Sequence, residues 1–249
     1  MAASSRSSVS RKIWLLASAV VLAVVLYTAG WFYAASALKE KTLALLGSQE
    51  ARGISVECAD ATYRGYPFRI GLFCSGITLD DRNNGISATA GALRSAAQVY
   101  DPGHIVWEAD GPAQVRTSHG LTVTSTWQSL QSSIISSNRS IERSSTVIQG
   151  GDTSIGSWTA GQSFNIGADR TEIHLRQNGE DLDAALLLEN ARTTAEGLPE
   201  ALPPMTAKVD VTLVGRAGMI DGSDPNGIAL HGTQGEMRSL SADLGEGRI

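Results

Sequence analysis

The sequence predicts a mainly β fold of the α+β class, in which an N-terminal transmembrane helix precedes a curved antiparallel β-sheet or partly closed β-groove domain with few short helices. Two observations lead to this prediction. An uncharged apolar run lies near the N-terminus, and many short segments after it alternate apolar with polar residues. The composition agrees, because only 18% of the 249 residues are charged, whereas Ser, Thr, Gly and Ala are abundant.

The apolar run extends from Ile13 to Tyr33 without a charged residue. An α-helix of about 20 apolar residues crosses a hydrocarbon core about 30 Å thick. Trp14 and Trp31 would stand about 26 Å apart on such a helix. Each therefore suits one membrane interface, and Phe32 and Tyr33 extend the outer aromatic belt.

Charge around the run predicts its orientation. Three basic residues precede it with no acidic residue among them: Arg6, Arg11 and Lys12. The positive-inside rule then places the N-terminus in the cytoplasm, and the protein is expected to cross the inner membrane once. We divide the chain into a cytoplasmic tail at residues 1–12, a transmembrane helix at 13–35, a helix leading out of the membrane at 36–53, and a periplasmic β-rich domain at 54–249.

A cleaved signal peptide is the alternative to an anchor. Ala35-Ser36-Ala37 has the small-x-small pattern of a processing site. The apolar run is longer than a usual signal core, however, and it ends in bulky aromatic residues. These features favour the anchor, and both interpretations export the domain.

The first exported segment contains the only two cysteines. Apolar residues alternate along two predicted strands here: Ile54, Val56 and Cys58 on the first, and Phe68, Ile70, Leu72 and Cys74 on the second. A reversal around Gly65-Tyr66-Pro67 would place Cys58 opposite Cys74, close enough for a disulfide of about 3 kcal/mol in an oxidising compartment. Two separate buried thiols are the alternative, and zinc would lack two ligands.

The turn of this hairpin carries the motif Gly65-Tyr66-Pro67-Phe68-Arg69. Glycine and proline suit a tight reversal, and the aromatic residues suit packing of the hairpin end against its neighbours. The second interpretation is that Tyr66, Phe68 and Arg69 form an interaction edge for lipid headgroups or a partner protein.

Turn signals divide the remaining chain into short strands. Asn84-Gly85 and Asn178-Gly179 predict hairpin turns, the second between Thr171–Arg176 and Leu182–Leu188. Turns are also predicted at Asp101-Pro102-Gly103 and at Asp110-Gly111-Pro112, and a strand is predicted at Lys208–Leu213. Trp127, Leu130 and Ile134 have helical spacing and predict a short helix.

No pattern for catalysis or for a cofactor is present. The four histidines stand alone: His104, His119, His174 and His231. Asp221–Gly227 superficially resembles a calcium loop, but Pro225 replaces an oxygen ligand and no closing Glu follows. The charges around Asp183 adjoin a turn, where solvation is usual. A net charge of −5 disfavours nucleic-acid binding. We therefore expect no enzyme, no metal, no cofactor and no nucleic-acid partner.

A family resemblance follows from these residues. A membrane anchor followed by Cys58, the residues 65–69 and Cys74 resembles the uncharacterised alphaproteobacterial family of domain of unknown function 2125. Later segments also fit: Trp127–Leu130, Ile173–Arg176 and Asp181–Asp183. Family members are often longer, which implies that the last strands are absent from this chain. More remotely, the pattern resembles the AsmA-like envelope proteins, a fold-level analogy.

The resemblance implies location and architecture rather than chemistry. We expect a structural or lipid-handling envelope protein, with an apolar concave sheet face near the outer leaflet of the inner membrane. The partners would be the bilayer and acyl lipids. The alternative is a membrane-tethered adaptor that binds another envelope protein through the sheet edge or the hairpin end at residues 65–69.

Overall fold

The computed structural model describes residues 6–50, 53–137, 140–157, 161–195, 203–224 and 230–244, with the helix side chains described over 11–40. The elements are α1 (Arg6–Glu50), β1 (Ile54–Ala59), β2 (Thr62–Arg64), β3 (Arg69–Cys74), β4 (Gly76–Asp81), β5 (Ile86–Ala90), β6 (Leu93–Gln98), β7 (Asp101–Ala109), β8 (Ala113–Thr117), β9 (Leu121–Thr126), β10 (Ser129–Ser137), β11 (Ser140–Ser157), β12 (Gln162–Asn178), β13 (Asp181–Ala195), β14 (Met205–Leu213), the 3-10 helix η1 (Ala217–Met219) and β15 (Gly235–Asp243).

The strands of the described residues form one curled antiparallel sheet, a half-barrel. Its connectivity is a meander in which each long strand pairs with the next along the chain. β1 pairs with β4 and β2 pairs with β3, in one continuous register. On their other sides, β3 pairs with β6 and β4 pairs with β5. β11, β12 and β13 each run the full length of the meander. The predicted mainly β fold with a curved antiparallel sheet is confirmed.

A line of breaks crosses the sheet, and we call it the crease. It consists of residues 60–61, 75, 91–92, 110–112 and 127–128, which separate the paired short strands, and it continues through Gly150 and Asn190. Asp60, Gly150 and Asn190 have positive φ. Such residues interrupt the extended backbone, so the side-chain alternation shifts by one residue, while the pairing of β11 with β12 keeps the same register on both sides. The meander therefore bends about halfway along its strands.

The apolar helix lies beside the first strand of the sheet. α1 continues from the apolar run to Glu50, and it contacts β1. α1 thus continues past the apolar run as one helix that lies against the sheet. Among the described strands, β1 pairs only with β4, so α1 lies next to a strand that would otherwise be an open sheet edge. The other edge of the described sheet is β15, whose one described partner is β14.

The predicted register of the cysteine hairpin is wrong. Cys58 stands opposite Ile77 in β4, and Cys74 stands opposite Leu93 in β6. The chain does reverse at Gly65–Pro67, where the Tyr66–Pro67 peptide is cis. The prediction assumed that apolar alternation continues unbroken along each strand. The pairing keeps one register on both sides of the crease, and Arg64 stands opposite Gly71, so the reversal is centred between Pro67 and Phe68 rather than at Tyr66.

Local turn signals are more reliable than helical spacing in this chain. Asn84-Gly85 joins β4 to β5, and Asn178-Gly179 joins β12 to β13, as predicted. The predicted short helix near Trp127 is wrong, because β10 begins at Ser129 and pairs with β7 and β11. Asp101–Gly103 belongs to β7 rather than to a turn. Pairing with flanking strands outweighs the weak helical spacing.

Alternation gives the sheet an apolar and a polar face. On β7, His104, Val106 and Glu108 are exposed, whereas Ile105 and Trp107 are half-buried. The buried hydrophobic residues of the described chain are Trp31, Ala35, Cys74, Ala168, Leu182 and Ala191. Among the described elements, only α1 and η1 lie outside the sheet. Side chains on the apolar face are therefore half-buried by adjacent side chains of the same sheet, and no second layer of described strands or helices packs on that face.

Candidate functional site

The structure joins Cys58 to Cys74 by a disulfide, with 5.2 Å between the two Cα atoms. The bridge links β1 to β3, which do not pair with each other, and it lies next to the crease. Beside it, the Ser75 amide donates to the Ala59 carbonyl, and the Ser75 hydroxyl donates to Asp60. The predicted bridge is formed, and it holds the bend of the first hairpin.

The tip of this hairpin docks on the apolar helix. The Tyr27 hydroxyl donates to the Pro67 carbonyl at 2.5 Å, and the Trp31 indole N–H donates to the Arg69 carbonyl at 2.9 Å. The Thr28 and Tyr66 hydroxyl oxygens are 2.8 Å apart. Three hydrogen bonds therefore join the apolar run to the 65–69 motif.

Aromatic contacts reinforce this junction. The Tyr66 ring lies edge-on to Trp31, with centroids 5.6 Å apart, and stacks with Phe32 at 6.0 Å. Trp31 is only 7% exposed, because it faces the hairpin. Trp14, Phe32 and Tyr33 are exposed, as contact with lipid requires, and their role as interface anchors stays a prediction. The motif thus has the packing role that the sequence suggested, and its partner is the apolar helix.

A groove of about 770 Å³ lies between the crease and the hairpin tip, and its lining extends from β3 to β12. Strand alternation places most of the lining side chains on the polar face. Five of the lining residues are apolar: Phe73, Ala96, Val106, Trp107 and Val147. Three others are arginines: Arg69, Arg94 and Arg170. An apolar surface with cationic neighbours is suited to an amphiphilic ligand with an anionic head.

The arginines differ in their partners. Arg94 forms a two-point contact with Asp110 and also lies near Glu108, and Arg170 pairs with Glu172. Hydrogen bonding from Arg94 holds the pKa of the Asp110 carboxyl below its usual value. Arg69 makes no ion pair within the described part of the chain. It is therefore the groove cation that is open to an anionic ligand.

A second polar cluster surrounds Asp183 on the same face. Its carboxylate accepts hydrogen bonds from Arg176 and Arg238, both at 2.7 Å, and from Thr212 at 2.9 Å. The Arg176 hydrogen bond is the main cause that lowers the Asp183 pKa. The expectation of a solvated charge is wrong for Asp183, which is 7% exposed. The side chains of Arg176, Thr212 and Arg238 cover the Asp183 carboxylate.

The remaining predicted positions do not assemble into a chemical site. His174 lies between Ser145 and Glu172, and His104 bonds Ser133. Residues 225–227 of the calcium-like segment lie outside the described residues. Asp224 pairs with the buried Arg216 at 2.6 Å. No three His, Cys, Asp or Glu side chains gather at metal-binding distance where the structure describes the chain.

The sequence contains one signal for the crease, in the numbering of its apolar positions. The apolar positions change from even to odd numbers between β3 and β4, from Leu72 to Ile77. The same one-residue slip separates Val123 in β9 from Leu130 in β10. A slip shared by several neighbouring strands indicates a line of breaks across the sheet.

Comparison with known proteins identifies a family but no relative of known function. Residues 31–249 match the family described as an uncharacterized protein conserved in bacteria (DUF2125). The searches of curated proteins and of solved structures give no match. The link to AsmA-like proteins stays a prediction. Because the family match covers the whole sheet and the outer part of the apolar run, the chain belongs to the DUF2125 family.

Proposed function

We propose that this protein is an envelope protein, anchored in the inner membrane by α1, whose periplasmic half-barrel binds a lipid without catalysing a reaction. The groove carries the proposal. It combines apolar side chains with arginines, and its volume of about 770 Å³ suits a ligand of lipid size. The half-exposed apolar face of the sheet adds a second surface for acyl chains.

The apolar helix supports the anchor. The described residues Arg11–Glu40 are long and apolar enough to cross a membrane, a test that a signal sequence also meets. Cleavage after Ala37 would remove Tyr27, Thr28 and Trp31, which bond the hairpin tip. These contacts favour a retained helix. The basic N-terminal tail favours a cytoplasmic N-terminus, which places the disulfide in the oxidising periplasm.

The position of the groove supports lipid as the ligand. Arg69 belongs both to the groove and to the hairpin tip that docks on the helix. The Arg64 guanidinium lies 5.4 Å from the centre of the Phe73 ring, at the same end. Cationic residues beside the membrane attract anionic headgroups, while the apolar groove receives an acyl chain.

Photo-crosslinking in vesicles tests the lipid-binding role. The full chain would be reconstituted with a phosphatidylglycerol that carries a photoactivatable acyl chain. We expect crosslinked peptides from β7 and β11 in addition to α1. Val106→Gln, at a groove residue that is 46% exposed, should reduce the sheet crosslinks. The matched control is Val115→Gln, at an exposed strand valine outside the groove. Crosslinks confined to α1 would show only lipid around the anchor and reject the proposal.

A second function, an adaptor for another envelope protein, is favoured by the β15 edge. Met237 and Leu240 are both exposed on this strand, and its outer side pairs with no described strand. A partner could add a strand there. A photoreactive residue at Ser239 in cells would test this role. One specific protein adduct would support the adaptor, and the absence of any protein adduct would reject it.

A further inference from the structure

We propose that the hairpin tip next to α1 enters the outer leaflet, so that the sheet itself, and not only the helix, contacts the bilayer. The contact surface, which we call the hydrophobic rim, consists of Phe32, Tyr33, Phe68, Val99 and Tyr100. This inference rests on the proposed anchor, because the helix determines the depth of the tip.

The depth follows from the junction. Tyr27 lies within the apolar run, about 21 Å along the helix from Ile13 at 1.5 Å per residue. Trp31 follows one turn later. A hydrocarbon core is about 30 Å thick, so both residues lie in its outer half, and Trp31 lies near its outer boundary. The carbonyls of Pro67 and Arg69 bond these two side chains and are therefore at the same level.

The rim is apolar and exposed at that level. Phe68 is 67% exposed and Tyr100 is 78% exposed. The Val99 amide donates to the Phe68 carbonyl at 3.0 Å, so the β6–β7 turn lies against the hairpin tip. The polar turn at Asn178-Gly179 lies at the same end of the meander but farther from the helix. Aromatic residues of this kind concentrate at membrane interfaces.

The hydrogen bonding of the tip suits a position with little water. The carbonyls of Gly65, Pro67, Phe68 and Arg69 accept bonds from the Arg69 amide, the Tyr27 hydroxyl, the Val99 amide and the Trp31 indole. Irregular backbone enters a bilayer only when its polar groups are satisfied within the protein. An exposed turn in water has no such requirement. The bilayer is therefore the occupant that explains both the exposed side chains and the four bonded carbonyls.

Fluorescence quenching tests the inference in the full chain. Phe68→Cys, Tyr100→Cys, Leu22→Cys and His119→Cys would each be labelled with an environment-sensitive maleimide dye in phosphatidylethanolamine–phosphatidylglycerol vesicles. The native cysteines are bridged and do not react. Leu22 is the reference position inside the proposed membrane span. His119, in the turn between β8 and β9, is the reference position at the end of the sheet away from the hairpin tip. Because all four side chains are exposed, the substitutions should leave the fold intact.

We expect the dyes at positions 68 and 100 to emit at shorter wavelength than the dye at 119. They should be quenched by nitroxide lipids and protected from iodide. If the dyes at 68 and 100 are as accessible to iodide as the dye at 119 while the dye at 22 is quenched by lipid, the hydrophobic rim does not enter the bilayer. The same result would still support α1 as a membrane anchor. If position 22 is also aqueous, the proposed anchor fails. Protection from iodide without lipid quenching would indicate a protein cover and would also overturn the inference.

Discussion

Trp31 of the apolar helix donates its indole N–H to the Arg69 carbonyl, 2.9 Å away at the tip of the first hairpin. This bond joins the part of the chain that suits a membrane to the start of the sheet. The Arg69 side chain also lines the groove. One contact therefore relates the proposed anchor, the docked hairpin and the candidate binding surface.

Trp31→Phe should loosen this junction. The substitution keeps an aromatic ring but leaves the Arg69 carbonyl without its donor, which costs about 1 kcal/mol of unfolding free energy. Urea unfolding of the full chain in detergent, followed by circular dichroism, measures the loss. The control is Trp14→Phe, at an exposed tryptophan on the same helix, which should leave the midpoint unchanged. Equal midpoints for both variants would contradict a structural role for the bond.

The disulfide should be complete in the exported protein. Thiol titration in denaturant should detect no free thiol before reduction and two after it. The double variant Cys58→Ser, Cys74→Ser should lose about 3 kcal/mol of unfolding free energy, because the bridge closes a short loop in the unfolded chain. Reductant should lower the stability of the native protein to that of the double variant. Free thiols in the unreduced protein would contradict the bridge.

Asp183→Asn should destabilise the sheet at neutral pH by about 1 to 2 kcal/mol, because Arg176 and Arg238 lose their shared carboxylate. The folded-state pKa of Asp183 lies below its ordinary value of 3.8, chiefly because of the Arg176 hydrogen bond. The carboxylate therefore contributes fully above about pH 4, and the contribution is lost as pH falls through the folded-state pKa.

The pH dependence separates this effect from simple misfolding. Unfolding free energies of Asp183→Asn and the native protein should converge below about pH 4, as the native carboxylate also becomes neutral. Asp169→Asn is the control, because Asp169 bonds Arg192 and Asn190 on an exposed part of the sheet. Its midpoint at neutral pH should match that of the native protein. A constant difference for Asp183→Asn at every pH would contradict the carboxylate's role.

Gly71→Ala should be among the damaging small substitutions in the sheet. A Cβ at Gly71 would lie 1.7 Å from the Ser95 carbonyl oxygen, so β3 and β6 would have to move apart. We expect a loss of about 2 kcal/mol or more in thermal or urea unfolding. Gly156→Ala is the matched control in β11, because a Cβ added there would meet no atom within 4 Å. Equal effects at both positions would contradict the close strand approach.

The N-terminal helix should remain in the mature protein. Intact mass spectrometry of the membrane fraction should give a mass near 26.2 kDa, that of the whole chain. Removal of the helix would separate Trp31 from Arg69 and expose the Tyr66 ring, so the contacts favour retention. A mature N-terminus immediately after Ala37 would identify a signal peptide instead.

Local patterns predicted several parts of this fold. The apolar run indicated the helix, and the two Asn-Gly pairs indicated the turns between β4 and β5 and between β12 and β13. These signals depend on residues close in sequence, so the pattern of residues along the chain is enough to detect them. The short helix predicted at Trp127 failed because strand pairing with β7 and β11 determined that segment.

The candidate site was only partly predictable for the same reason. The 65–69 motif and the two cysteines were recognised, but their register was wrong because the chain reverses between Pro67 and Phe68, later than the motif suggested. Asp183 looked like a solvated charge, yet strands distant in sequence bring Thr212 and Arg238 to it. The groove was not predicted, since its lining comes from strands between β3 and β12.

Residue patterns along the chain were enough to indicate the elements of this protein: an apolar helix, alternating strands, their tight turns and a cysteine pair close enough in the chain to be bridged. Only the tertiary structure decided that the hairpin tip docks on Trp31, that the strands bend along one crease and that Arg69 reaches the groove. The two sets of features differ in how far apart in sequence the interacting residues lie. Hydropathy, alternation and turn chemistry act over a few residues, whereas docking, register and groove shape depend on contacts between distant strands and on their shared bend.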